Sequence, residues 1–160
     1  MTLTDVLAPE RIRIRISVSN KVELLDALLD ILVEQHLVLD REAARNAIFE
    51  REEKLSTGIG HGIALPHAKT NAVPLTTASL VTCAEAVEYD ALDSNPVDIA
   101  ILLLGPPADV RTHLQLLGKI SRMICTDSSV EQFRHAVLDA ETAEEAYRAL
   151  HQLSTATTGA

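Results

Sequence analysis

The chemistry of this chain is concentrated in residues 56–70, STGIGHGIALPHAKT. Glycines at positions 58, 60 and 62 let the backbone turn tightly or approach another segment closely. Ile63, Ala64 and Leu65 can enter a strand and anchor the residues after them. Pro66 fixes its own φ and restricts Leu65, so His67 is presented at a defined place. A histidine held this way suits nucleophilic chemistry, because neutral imidazole is available near physiological pH. Taken alone, a loop histidine is more often a solvated residue without chemistry, and composition by itself favours that.

The flanking sequence must supply the scaffold that positions this segment. Residues 11–17 alternate charge with Ile, the period-two signal of a half-buried strand. Asn20 caps an expected helix over 21–36 whose apolar face holds Val22, Leu24, Leu25, Leu28, Leu29, Ile31 and Leu32. Asp40 caps a second helix over 41–53, with Ala43, Ala44, Ala47, Ile48 and Phe49 on its inner side. Short strands are expected at 78–83 and 98–104; the second lacks alternation, which predicts burial on both faces. Gly105, Pro106 and Pro107 stop it. A helix over 109–125 with Leu114, Leu116, Leu117, Ile120 and Ile124 inward comes next, then short helices at 128–137 and 141–153. The pattern predicts an α/β single domain, a mixed β-sheet flanked by helices on both faces, spanning residues 1–153. Residues 154–160 are expected to form a flexible C-terminal tail.

Composition narrows the function classes. The chain has 160 residues, 47% hydrophobic, enough for one domain with a sizeable core. A formal net charge of −9 repels phosphate backbones and anionic headgroups, so nucleic acid and membrane are poor partners. Cys83 and Cys125 lie in apolar surroundings without metal-ligand spacing and are expected to be buried, reduced thiols. No apolar run reaches signal-peptide or membrane-span length, which predicts a cytoplasmic protein. His61, His67 and His113 could in principle make a zinc set. The spacing between the first two is not a usual ligand spacing, so no metal and no cofactor are expected.

Glu50-Arg51-Glu52 followed by Gly58 to His67 resembles the phosphorylation-site signature of enzyme IIA of the bacterial phosphotransferase system, in its fructose/mannitol/nitrogen-regulatory class. The segments TLTDVLAPERIRIRISVSNKVELLDALLDIL, AEAVEYDALDSNPVDIAILLLGPP and HLQLLGKISRMI resemble the family's other elements in order, through about residue 125. The resemblance implies that His67 accepts a phosphoryl group at Nε2 from a histidine phosphocarrier protein, HPr or its nitrogen-branch counterpart, with Nδ1–H donated to a backbone carbonyl. It assigns Arg51 as a phosphate partner and His113 as the second histidine of the site. Without it, both would read as ordinary helix residues. Ser56 and Thr57 are candidates for an anion-binding nest, though polar residues before glycines are also ordinary turn chemistry. His61 departs from the Asn or Glu usual in the family; it could add a donor, but a solvent-facing ring is expected. Lys69 reads as a rim charge within the carrier's footprint.

Neither a IIB sequence with its phosphocysteine nor IIC membrane helices are present, so a free-standing IIA domain is expected. The resemblance leans towards the nitrogen-regulatory branch, signalling to a downstream regulated protein through its phosphorylation state. The first alternative is a fructose/mannitol-type component that donates to a IIB cysteine for sugar transport; a His-ligated metal hydrolase and a IIA-like binding module that takes no phosphate are less favoured.

Overall fold

The computed structural model describes residues 1–158. A short helix, α1 (Leu3–Val6), precedes the edge strand β1 (Ile12–Ile16). Helices α2 (Lys21–Glu34) and α3 (Arg41–Lys54) follow, each started by the expected cap: Asn20 accepts from the Glu23 N–H at 2.9 Å and Asp40 from that of Ala43 at 3.1 Å. The glycine-rich segment breaks into three very short strands, β2 (Gly58–Gly60), β3 (Ile63–Ala64) and β4 (His67–Lys69). Long strands β5 (Thr77–Val87) and β6 (Val97–Gly105) come next, then helices α4 (Val110–Met123), α5 (Asp127–Leu138) and α6 (Ala143–Thr158).

The six strands form one sheet in the order β1-β5-β6-β3-β2, with β4 also paired to β6. Antiparallel β5–β6 and β2–β3 pairs coexist with parallel β1–β5, β3–β6 and β4–β6 pairs, so the sheet is mixed. Strand β6 is its axis. Ala100, Leu102 and Leu104 pack with Leu28, Leu32 and Ile48 of α2 and α3 on one face. Ile99, Ile101 and Leu103 pack with Leu116, Ile120, Phe133 and Leu150 of α4, α5 and α6 on the other. Both faces are therefore covered by helices, which is why β6 reads as an uninterrupted apolar run. Each fully buried aliphatic side chain there contributes about 1.5–3 kcal/mol.

Several details differ from the sequence expectation. Val22 lies outside the core, beyond the stripe that α2 turns to the sheet. On α4 the order is inverted: Leu114 is 62% exposed and His113 only 3%. The buried positions of this helix are His113, Leu116, Ile120 and Met123, a three-four-three stripe that excludes 114. Cys83 is buried as expected, but Cys125 is exposed, because it sits in the turn after α4 with its Sγ–H donated to the Arg122 carbonyl. Helix α6 carries through Thr158 rather than ending at 153, with Ser154 buried against Met123. The last two residues of the expected tail lie outside the described residues. Among those described, no helix is long and apolar enough to cross a membrane.

Candidate functional site

Strand β4 pairs in parallel with β6, setting His67 opposite Leu103, Ala68 opposite Leu104 and Lys69 opposite Gly105. The Leu103 N–H donates to the Pro66 carbonyl at 3.0 Å, fastening the approach to His67 to the sheet's axis. The imidazole then folds back two residues: Nδ1 lies 2.8 Å from the Leu65 carbonyl oxygen. A carbonyl only accepts, so Nδ1 carries the proton. In the neutral ring the lone pair is left on Nε2.

His67 lines a cleft of about 510 Å³ between the end of α3, strand β4 and the start of α4, with Arg51, Lys54, Lys69, His113 and Leu114 among its walls. Arg51, in the last turn of α3, donates from one guanidinium nitrogen to the Leu55 carbonyl at 2.9 Å. That bond aims the fork and leaves most of its five N–H donors for other acceptors. The His67 and His113 ring centroids are 5.8 Å apart, tilted by 52°.

Electrostatics keep both rings neutral at physiological pH. Burial is the main cause holding His67 below the ordinary histidine value, aided by the Arg51 charge and opposed by the Leu65 hydrogen bond and Glu52. For His113 burial dominates again, with His67 and Lys69 adding to it, and its pKa falls to about 4. His113 Nδ1 is buried with no hydrogen-bond partner among the described residues, while the residue itself lines the cleft. Gly105 makes room for that ring: a Cβ there would lie 3.2 Å from His113 Nδ1 and 3.0 Å from Thr76 Oγ1.

The other candidates lie elsewhere. Ser56 donates to the Tyr89 carbonyl at 3.2 Å and borders a separate depression beside Lys21 and Asp90. Thr57 is buried, with both its donors spent on Glu52. Neither lines the cleft, so the nest expected from them does not form around His67: their polar groups are consumed by local fastening. His61 sits at the β2–β3 turn in left-handed backbone, φ 58°, with its ring in solvent as expected. It belongs to a second depression, with Arg134 and His135. The three histidines thus do not converge, and among the described residues no cluster of three or more His, Cys, Asp or Glu could hold a metal.

Two features of the cleft were not drawn from the sequence. Lys54 joins the basic rim, and the cleft's apolar lip carries Val110 and the exposed Leu114. Lys54 sits three residues after Arg51, a spacing that places both on one helix face and could have signalled it.

Residues 5–153 match the family described as "Phosphoenolpyruvate-dependent sugar phosphotransferase system, EIIA 2". The chain is 37% identical over 145 residues to the PTS system fructose-specific EIIA component of Haloferax volcanii, covering 89% of this chain and 92% of that protein. It is 31% identical over 160 residues to the nitrogen regulatory protein of Escherichia coli, covering 99% and 93% of the two chains. The crystal structure of nitrogen regulatory protein IIA-Ntr from Neisseria meningitidis superposes with a TM-score of 0.82 at 28% identity, over 92% of this chain and 97% of that one.

Proposed function

The chain belongs to the EIIA 2 family of phosphotransferase-system components, and from that premise we propose that Nε2 of His67 accepts a phosphoryl group from a histidine phosphocarrier protein, HPr or its nitrogen-branch counterpart. The observation that carries this reading is the Nδ1 to Leu65 hydrogen bond, which leaves the Nε2 lone pair at a cation-rimmed cleft. The Nε2 lone pair attacks the phosphorus in line with the carrier's P–N bond. That bond breaks with its electron pair returning to the carrier imidazole, while the charge developing on the His67 ring is shared through Nδ1–H with the Leu65 carbonyl. Arg51 offers its remaining N–H donors to the phosphoryl oxygens, and His113 presents its ring from the opposite wall. Ser56, Thr57 and His61 do not line the cleft and make no contact with the phosphoryl group in this reading.

In this reading the protein works in the cytoplasm, alongside the carrier. Downstream, the nitrogen-regulatory reading makes the modification a switch: near-double negative charge arrives beside the apolar Val110 and Leu114 and alters which regulated protein can dock. The fructose-type reading passes the group on to a IIB cysteine, and the similarity to the Haloferax fructose-specific component favours it. Intact-mass measurement after incubation with phosphoenolpyruvate, enzyme I and carrier tests the acceptor: wild type gains one phosphate and His67→Ala none. Equal labelling of the two would remove His67 from the role. Loss of that phosphate to an added IIB domain would select the transport reading over the regulatory one.

A further inference from the structure

The residue after Arg51 turns the opposite way. Glu52 is 7% exposed, and its carboxylate is the most heavily engaged buried charge among the described residues. The Thr57 N–H reaches its two oxygens at 3.0 and 3.2 Å, the Thr57 hydroxyl reaches both at 2.8 Å, and Lys21 Nζ stands 3.2 Å away. Because the Thr57 hydroxyl proton goes to the carboxylate, the Tyr89 hydroxyl, 3.0 Å from Thr57 Oγ1, must be the donor in that pair. Lys21 lies over the Tyr89 ring, 4.4 Å from its centroid. A buried carboxylate persists only when it is hydrogen-bonded or paired, and here both oxygens are engaged, mostly by one residue.

That residue leads directly to the reacting ring. The Thr57 carbonyl accepts the Leu65 N–H at 2.9 Å, and the Leu65 carbonyl on the same residue accepts His67 Nδ1–H at 2.8 Å. Pro66 stiffens the step between them. Two links of chain therefore separate the Glu52 carboxylate from the hydrogen bond that decides which nitrogen of His67 is free.

We propose that Glu52 is a positioning residue for His67: gripping Thr57 by both donors, it holds the Leu65 peptide so that its carbonyl keeps the proton on Nδ1 and the lone pair on Nε2. This deepens the proposed function and rests on it for its catalytic consequence. Adjacent residues thus divide the work. Arg51 faces the incoming phosphoryl group, and Glu52 orients the nucleophile from behind.

Two variants decide the matter, read by two-bond proton–nitrogen correlation spectra of the histidine rings in unphosphorylated protein and by the rate of phosphate uptake. Glu52→Gln keeps size but turns an amide NH₂ against the Thr57 donors. It should admit a substantial share of the Nε2–H form of His67 and slow uptake about tenfold, since small misplacements of a reacting group cost factors of this size or more. Thr57→Val, which deletes only the hydroxyl arm, should move both readings the same way by less, and Thr57→Ser should restore them. If both Glu52→Gln and Thr57→Val keep the wild-type ring spectrum and rate while only melting earlier, Glu52 is a structural residue and the proposal fails. Should Glu52→Gln not fold, the Thr57→Val spectrum decides alone. The ring spectrum needs no phosphate, so a wild type that takes up none would strike the acceptor role and not this assignment.

Discussion

Two depressions on this molecule share an inventory and differ in everything else. One holds His67 with Arg51 in about 510 Å³; the other holds His61 with Arg134 in about 470 Å³. In the second, Arg134 is committed: it grips Asp98 through two 2.8 Å bonds and reaches the His61 carbonyl at 2.7 Å. Asp127, Glu131 and Asp139 line that hollow, so an anion would meet carboxylates. In the first, Arg51 bonds only a backbone carbonyl among the described residues, and Glu50 is the single carboxylate lining the cleft, against the cations Arg51, Lys54 and Lys69. A histidine beside an arginine is therefore not a site. The pair becomes one when the ring is oriented and the guanidinium still has donors to give.

The largest effect expected of that contrast is on phosphate uptake. His67→Ala should abolish it, whereas His61→Ala should leave the rate within about twofold, because its ring touches neither the cleft nor His67. Equal losses in the two would erase the distinction between the depressions. The arginines come next and should dissociate. Arg51→Gln should slow uptake by about 10²-fold with little change in melting temperature, and Arg134→Gln should destabilise by about 1–3 kcal/mol through the stranded Asp98 while uptake persists. Kinetics and thermal melts on the same two proteins check this. Gly105→Ala should cost several-fold in uptake, because the added methyl presses His113 from 3.2 Å and Thr76 from 3.0 Å; an unaltered rate would show that the His113 ring position is not critical.

A separate expected effect is a pH dependence of stability. His113 is neutral and buried with a pKa of about 4, against about 6.5 unfolded. The unfolded chain therefore takes up the proton first as pH falls. The stability this ring contributes is complete above about pH 6.5 and is lost progressively down to about pH 4. Urea midpoints at pH 7 and 4.5 should fall further for wild type than for His113→Gln, since carboxylate titration is common to both. An equal fall would mean that the ring does not resist protonation.

Much of this was legible beforehand, for reasons specific to particular residues. Asn20 and Asp40 announce helices because a cap is local chemistry, and β6 announces its double burial because both of its faces need apolar residues. The order on α4 was not legible: hydropathy puts Leu114 inside, but the stripe through Leu116 and Ile120 passes through His113. Ser56 and Thr57 show only donors in sequence, not the acceptors that consume them. Likewise Arg51 and Glu52 look alike as neighbouring charges on a polar helix, and only the packing of Thr57, Lys21 and Tyr89 sends one of them inward.

Strand β4 is three residues long, yet it is hydrogen-bonded to the most protected strand of the sheet, at the level of Leu103 and Leu104. The consequence lies in time rather than in space. A group carried on a loop must wait for the loop to find its pose at every exchange, whereas one paired to a fully buried central strand is held ready at each encounter. The delivering protein need only arrive.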